Sequence, residues 1–212
     1  MPKDLAIILN NGSINSAVVT ALAAQKARPI LLHAETSSPP SSRARAAYDQ
    51  QVAFFKPFRE HTLSLMTSPP GAESTTNADP RAETYDRRML DLLPLIAAAA
   101  QYAVHYQAAA IYLGLRIGPH EEELARGTEY VQIWTEMLQS PCGQTDLEIL
   151  TPLLELEPWQ VVDLGFQAGV PFERTWTCQE EGSDPCWSCR TCQLREAAFQ
   201  QAGKVDPLKG RK

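Results

Sequence analysis

No apolar run in this chain approaches the roughly 20 residues that a membrane-crossing helix needs. The first apolar stretch is halted by Asn10, Asn11 and Gly12, too early for a secretory leader, so the sequence predicts a cytoplasmic protein. Positive charge is not in excess either. Nineteen Lys and Arg stand against 25 Asp and Glu, a net charge of −6 at pH 7. Such a chain sets up no global field toward polyanions, so neither direct nucleic-acid binding nor membrane association is expected. Internal repeats and low-complexity domains are absent. Cysteine is scarce outside one stretch: four of the five lie between positions 178 and 192. Without an export leader, that clustering points to metal rather than disulfides.

What is present reads as a globular α/β chain. At 212 residues it can bury a proper core, and its composition is 44% hydrophobic and 21% charged. Short apolar runs at 5–9, 29–33, 61–65, 110–114 and 147–151 are expected strands. Helices are expected at 16–25, 43–55, 89–106, 127–138 and 158–168, the last opened by Pro158. This alternation predicts a doubly wound parallel sheet with ligands at the C-terminal ends of its strands. The predicted organisation is an α/β nucleotide-binding domain over residues 1–172 and a cysteine segment with a C-terminal helix over 173–212. The Pro- and Ser-rich stretches 36–42 and 68–81 follow strands and belong near the ligand face.

Cys178-x7-Cys186-x2-Cys189-x2-Cys192 offers four thiolates, the number a closed tetrahedral structural zinc site takes. Soft sulfur ligands favour Zn²⁺ over Mg²⁺ or Ca²⁺, and an iron–sulfur cluster is the rival. Cys142 after Pro141 reads as a loop or core thiol, and the tryptophans Trp176 and Trp187 as packing for the knuckle on the sheet. His105 reads as a packed or capping side chain. His120 with Glu121, Glu122 and Glu123 reads as a solvated acidic loop, and Arg87 with Arg88 as a surface pair or an anion contact.

The turn Asn10-Asn11-Gly12-Ser13-Ile14-Asn15-Ser16 joins the first strand to the first helix. A small polar turn there presents backbone N–H groups to an anion, with Asn15 or Ser16 as the helix cap. It is neither a G-x-x-x-x-G-K-[ST] loop nor a G-x-G-x-x-G turn, which excludes P-loop and Rossmann readings.

The run Thr175-Trp176-Thr177-Cys178, then Asp184-Pro185-Cys186-Trp187-Ser188-Cys189-Arg190-Thr191-Cys192-Gln193-Leu194-Arg195, then Asp206-Pro207, resembles the zinc segment of 7-cyano-7-deazaguanine synthases. These queuosine-pathway proteins are also called QueC or ExsB. Leu150-Thr151-Pro152-Leu153 resembles the stretch before that segment, and His33-Ala34 and Leu113-Gly114 fall in the family's order. The resemblance implies a PP-loop, or HUP-like, ATP pyrophosphatase fold with zinc beside the active site, and a homodimer. It implies Mg-ATP adenylation of the 7-carboxy-7-deazaguanine carboxylate, attack by ammonia, and dehydration of the amide to the nitrile with a second ATP.

By that resemblance the nucleotide site falls on Asn11, Gly12, Ser13, Asn15 and Ser16, with His33 nearby; no catalytic residue is carried over. The family's S-G-G-x-D-S loop keeps Gly12 and Ser16 here, but Asn11 replaces a serine, Ser13 a glycine and Asn15 an aspartate. The family's Gln-Arg-His and Tyr-Pro-Asp-Cys-Arg elements are missing, with Arg43 and Arg45 near the place of the first and 116–130 in the place of the second. Three readings follow: a divergent synthase-like enzyme with altered or reduced activity on a small nucleotide or deazapurine acid, an inactive partner subunit in a larger complex, or a ligase relative that joins a deazaguanine-type group to another acceptor.

Overall fold

A computed structural model describes residues 4–36, 41–65 and 85–209, with residues 85–88 as backbone alone. Five parallel strands, β1 (Leu5–Leu9), β2 (Arg28–Glu35), β3 (Arg59–Ser64), β4 (Ala110–Tyr112) and β5 (Glu148–Leu150), form one sheet in the order β3-β2-β1-β4-β5. The order reverses between β1 and β4. In an open parallel sheet, that reversal opens a crevice at the strands' C-terminal ends.

Alternation along each strand sends neighbouring side chains to opposite faces. Ala6, Ile8, Leu31 and Tyr112 pack on one face against α1 (Ile14–Ala24), α2 (Ser42–Phe55), α5 (Pro158–Gln167) and α6 (Arg190–Gln201). Ile7, Ile30, Leu32 and Ile111 pack on the other against α3 (Tyr85–Tyr106) and α4 (Glu121–Cys142). The doubly wound parallel sheet expected from the alternation is therefore the observed fold. The C-terminal helix α6 belongs to the first of these cores, where Ala198 and Phe199 are buried against Phe172.

Corrections concern ends and caps. Helix α4 runs from 121 to 142, not 127 to 138, so His120 to Glu123 is no loop: His120 is the N-cap residue and the three glutamates fill the first turn. Carboxylates are favoured there by the helix dipole. Gly143, at φ +61°, closes the helix. The cap of α1 is Ser13, not Asn15 or Ser16. His105 is exposed in the last turn of α3, edge-on to Tyr106 at 4.7 Å. Cys142 ends α4, packed on the second core, and burial raises its thiol pKa. The side chains of Arg87 and Arg88, residues 37–40 and the 68–81 stretch lie outside the described residues.

Candidate functional site

The C-terminal ends of β1, β2 and β4 surround a cleft of about 370 Å³. Asn11, Ser13, Asn15 and Ser16 line one side, Ala34 and Thr36 after β2 another, and Gly114 to Arg116 after β4 a third. The turns after β1, β2 and β4 converge at the C-terminal ends of the strands, where the alternation predicted ligands to lie. The remaining wall is largely leucine: Leu9, Leu32, Leu92, Leu95 and Leu113.

The loop between β1 and α1 is tightly specified. Gly12 has φ +81°, and a Cβ there would lie 2.5 Å from the Ala44 carbonyl oxygen, so only glycine fits. The close approach is to α2. Ser13 is extended, at φ −79° and ψ 172°, and its hydroxyl accepts from the Ser16 N–H. The loop does not leave all its amides open as an anion cradle would. Gly12 N–H donates to Asn10 Oδ1 at 2.8 Å, and Ser13 N–H donates to Asn11 Oδ1 at 3.1 Å. Ser16 Oγ also donates to Asn11 Oδ1, at 2.7 Å. Asn15 Nδ2 reaches across the crevice to the Gly114 carbonyl at 3.1 Å.

Behind the loop lies a hub that sequence reasoning missed. Gln51 of α2 is fully buried; it accepts from Asn10 Nδ2 at 2.9 Å and donates to the carbonyls of Gly12 and Arg174, each at 3.0 Å. Trp176 N–H donates to the same Gly12 carbonyl at 2.9 Å. The loop is thus tied to the chain leading into the cysteines. The available signal was an amide on the face of α2 that also carries Ala47, Tyr48, Val52 and Phe55.

His33 stands in this supporting layer and not among the cleft-lining residues. Its Nδ1 contacts the Asn10 carbonyl at 2.9 Å and its ring stacks on Tyr48 at 4.7 Å. Burial holds its pKa below the ordinary 6.5, partly offset by the Asn10 contact. An imidazole kept neutral by folding lets the unfolded chain take up the proton first. Stability should therefore be fully present above pH 6.5 and fall as pH drops below it. Urea midpoints between pH 5 and 8 test this. His33→Asn should flatten the acid slope relative to the parent, and an unchanged slope refutes the assignment.

The sulfurs of Cys178, Cys186, Cys189 and Cys192 all lie within 4.8 Å of one another, and those of Cys178 and Cys189 are 4.0 Å apart. Four sulfurs at about 2.3 Å from one tetrahedral ion stand about 3.8 Å apart, so this spacing could hold a single metal ion. The backbone prepares the sulfurs for negative charge: Glu180 and Cys186 N–H donate to Cys178 Sγ, and Cys189 N–H donates to Cys186 Sγ at 3.3 Å. At Cys189 burial is opposed by contacts from the Gln179 backbone, Thr191 and Cys192, and the pKa falls to about 5. Hydrogen bonds led by Ser188 lower that of Cys186. Burial, with Cys189 and Cys178 alongside, raises that of Cys192. A cation among four such thiols would let all of them ionise.

The tryptophans expected against the sheet instead meet cations: Trp176 lies under Arg43 of α2, and Trp187 under Lys209. Between Cys178 and Cys186, Glu181 accepts from Ser42 Oγ at 2.7 Å at the start of α2. The contacts with Ser41 and Ser42 lower its pKa. The cysteine loop thus touches the helix that braces Gly12.

A sequence model described as "Queuosine biosynthesis protein QueC" matches residues 48–203. The chain belongs to the QueC family. Over 117 residues it is 32% identical to the 7-cyano-7-deazaguanine synthase of Thermosynechococcus vestitus, covering 53% of this chain and 50% of that protein. The synthase of Acidobacterium capsulatum is 25% identical over 223 residues, covering 97% and 96%. The chain spans about half the length of several curated relatives it matches, and nearly all of the Acidobacterium protein.

Among solved structures, NMN synthetase from Francisella tularensis superposes with a TM-score of 0.52 at 16% identity, over 98% of this chain and 81% of that one. A 4-thiouridine synthetase solved with RNA and bound ATP gives 0.53 at 15% identity, over 94% and 50%. These likenesses show the PP-loop, HUP-like fold. No helix among the described residues of this QueC-family chain is long and apolar enough to cross a membrane.

Proposed function

We propose that this QueC-family chain is a zinc-holding, 7-cyano-7-deazaguanine synthase-like protein in which ATP-dependent activation of a deazapurine carboxylate is altered or strongly reduced. The observation that carries the proposal is the state of the loop. Two of its amides and the Ser16 hydroxyl are already given to Asn10 and Asn11, while the four-cysteine site keeps the spacing of a single ion.

In this reading the cleft takes a small nucleotide or deazapurine acid, and Cys178, Cys186, Cys189 and Cys192 hold Zn²⁺. The sulfur spacing supports one ion over a four-iron cluster, in which each cysteine ligates a different iron and the sulfurs stand farther apart. Zinc so held is closed to substrate and supplies folding energy. Mg-ATP would meet Asn15 where a carboxylate suits Mg²⁺ better. Adenylyl transfer depends on positioning and on neutralising developing charge, and losing one such contact costs about 2.7–4 kcal/mol, or roughly 100- to 1,000-fold in rate. The reading includes a cytoplasmic homodimer.

A second reading, an inactive subunit serving a partner protein, draws support from the Asn15 amide. It donates to the Gly114 carbonyl, as a carboxylate cannot. The test supplies metal-loaded protein with Mg-ATP, ammonia and 7-carboxy-7-deazaguanine beside the Acidobacterium capsulatum relative. Nitrile formation should be slower by about 100-fold or more. Turnover near the ordinary ~1–10 s⁻¹ overturns the proposal. Slow turnover supports the enzyme reading; none at all, with full zinc and an intact fold, supports the partner reading.

A further inference from the structure

We propose that the cleft prefers an uncharged nucleoside or nucleobase to a nucleoside triphosphate, and that Asn11 and Asn15 set this preference. The inference rests on the cleft being the ligand site in the reading above and goes on to the class of ligand.

A phosphate held at the start of a helix needs donors that nothing else occupies. Here Asn11 Oδ1 takes both the Ser13 N–H and the Ser16 hydroxyl. An amide N–H can only donate, so the Asn11 atom facing Ser13 is the oxygen. That oxygen stands where an anion's oxygen would have to go, and Asn10 holds the next amide from the buried side. A phosphoryl group would have to displace a neutral acceptor that already takes two hydrogen bonds, at 3.1 and 2.7 Å.

Asn15 works against a triphosphate by a second route. Its Nδ2 faces the Gly114 carbonyl, so an aspartate in its place would set carboxylate against carbonyl oxygen. Gly114 also packs closely on the first turn of α1, where a Cβ would come within 3.2 Å of Asn15 and Ser16, so this point of the wall holds Asn15 near the carbonyl. The present pairing fixes a neutral residue at this point of the wall.

Charge and polarity agree. Among the described lining residues there is one basic side chain, Arg116, and no carboxylate. A triphosphate brings several negative charges, and its Mg²⁺ favours carboxylate oxygens. The wall instead is built from leucines at 9, 32, 92, 95, 113 and 115. A cavity of about 370 Å³ with apolar walls and a few polar groups suits a flat heterocycle. After their loop contacts, Asn11 keeps its Nδ2 donor and Asn15 its Oδ1 acceptor. Such a pair can read the polar edge of a base.

Calorimetry on the metal-loaded full chain decides the matter, with adenosine, guanosine, Mg-ATP and inorganic pyrophosphate as probes. The parent should bind one of the nucleosides at least about tenfold tighter than Mg-ATP. Asn11→Ala should shift the probes in opposite directions: pyrophosphate and Mg-ATP tighten by about tenfold, as one hydrogen-bonded competitor is removed, while the nucleoside weakens. Asn15→Asp should also raise the ratio of Mg-ATP to nucleoside affinity. It serves as the second variant should Asn11→Ala fail to fold, with circular dichroism and zinc content as controls. A parent that binds Mg-ATP as tightly as either nucleoside, or binds no nucleoside, overturns the proposal. So does a variant in which both ligand classes move together. Rapid nitrile synthesis would sink the reduced-activity reading while leaving these affinities to be judged separately, and the converse also holds.

Discussion

Cys192→Ser should strip the metal and unfold the segment from the cysteines into α6. The parent is expected to carry one zinc per chain. Cys192 is fully buried, and its sulfur is one of four that converge within 4.8 Å. Structural zinc in small peptides contributes about 10–16 kcal/mol of apparent binding energy, so losing one ligand removes a large part of what orders this segment. The damage should spread, because Cys192 lies in the first turn of α6, whose Ala198 and Phe199 are buried beside Phe172. Glu181 would also lose its fixed seat at the start of α2, the helix against which Gly12 packs. Elemental analysis and thermal melts of parent, variant and chelator-treated protein measure this. Iron in the parent, or a variant that keeps its zinc and its melting temperature, would reject the zinc assignment.

Arg195→Met should destabilise the protein by about 3–5 kcal/mol by leaving Asp206 a buried charge without its partner. The pair is nearly sealed from water, with side chains 1% and 2% exposed. Arg195 Nε and Nη2 donate to the two Asp206 oxygens at 2.6 and 2.9 Å. The same guanidinium donates to Thr175 Oγ1 at 2.8 Å and to the Phe172 carbonyl at 3.1 Å, so one side chain pins α6 to the strap that enters the cysteine segment. The loss is mostly that of stranding a charge. The double variant Arg195→Met with Asp206→Asn should therefore recover part of it, a coupling that a thermodynamic cycle reads directly. Urea unfolding at neutral pH provides the energies. A loss under about 1 kcal/mol for the single variant, or strictly additive effects in the pair, would show that the bridge contributes little.

These two features stood differently in the sequence. The cysteine spacing is local: two-residue gaps bring sulfurs together through a tight turn, and the structure gathers all four as that spacing required. Arg195 and Asp206-Pro207 could be read only as part of a resemblance, because an ion pair leaves no period or composition signal. The same contrast runs through the polar turn at residues 10–16. Its place between β1 and α1 was legible from the apolar run that ends at Asn10. Its hydrogen bonds were not, since a short polar side chain in a turn can cap, face solvent or bind its own backbone.

The sequence by itself determined the alternation of strands and helices, the parallel sheet, the convergence of loops at the strands' C-terminal ends and the four-sulfur site. Each follows from patterning within a single element or turn, where hydrophobic period and residue spacing act over a few positions. Only the tertiary structure decided that His33 braces the loop from behind, that Gly12 answers to the Ala44 carbonyl, and that Asn11 Oδ1 takes the Ser13 N–H and the Ser16 hydroxyl. It also decided that Gln51 joins Asn10 to Arg174, residues carried on distant parts of the chain. Whether a loop amide is open to a ligand depends on which acceptors packing brings within about 3 Å. That distance is set by helices and strands from across the fold, and no local pattern encodes it.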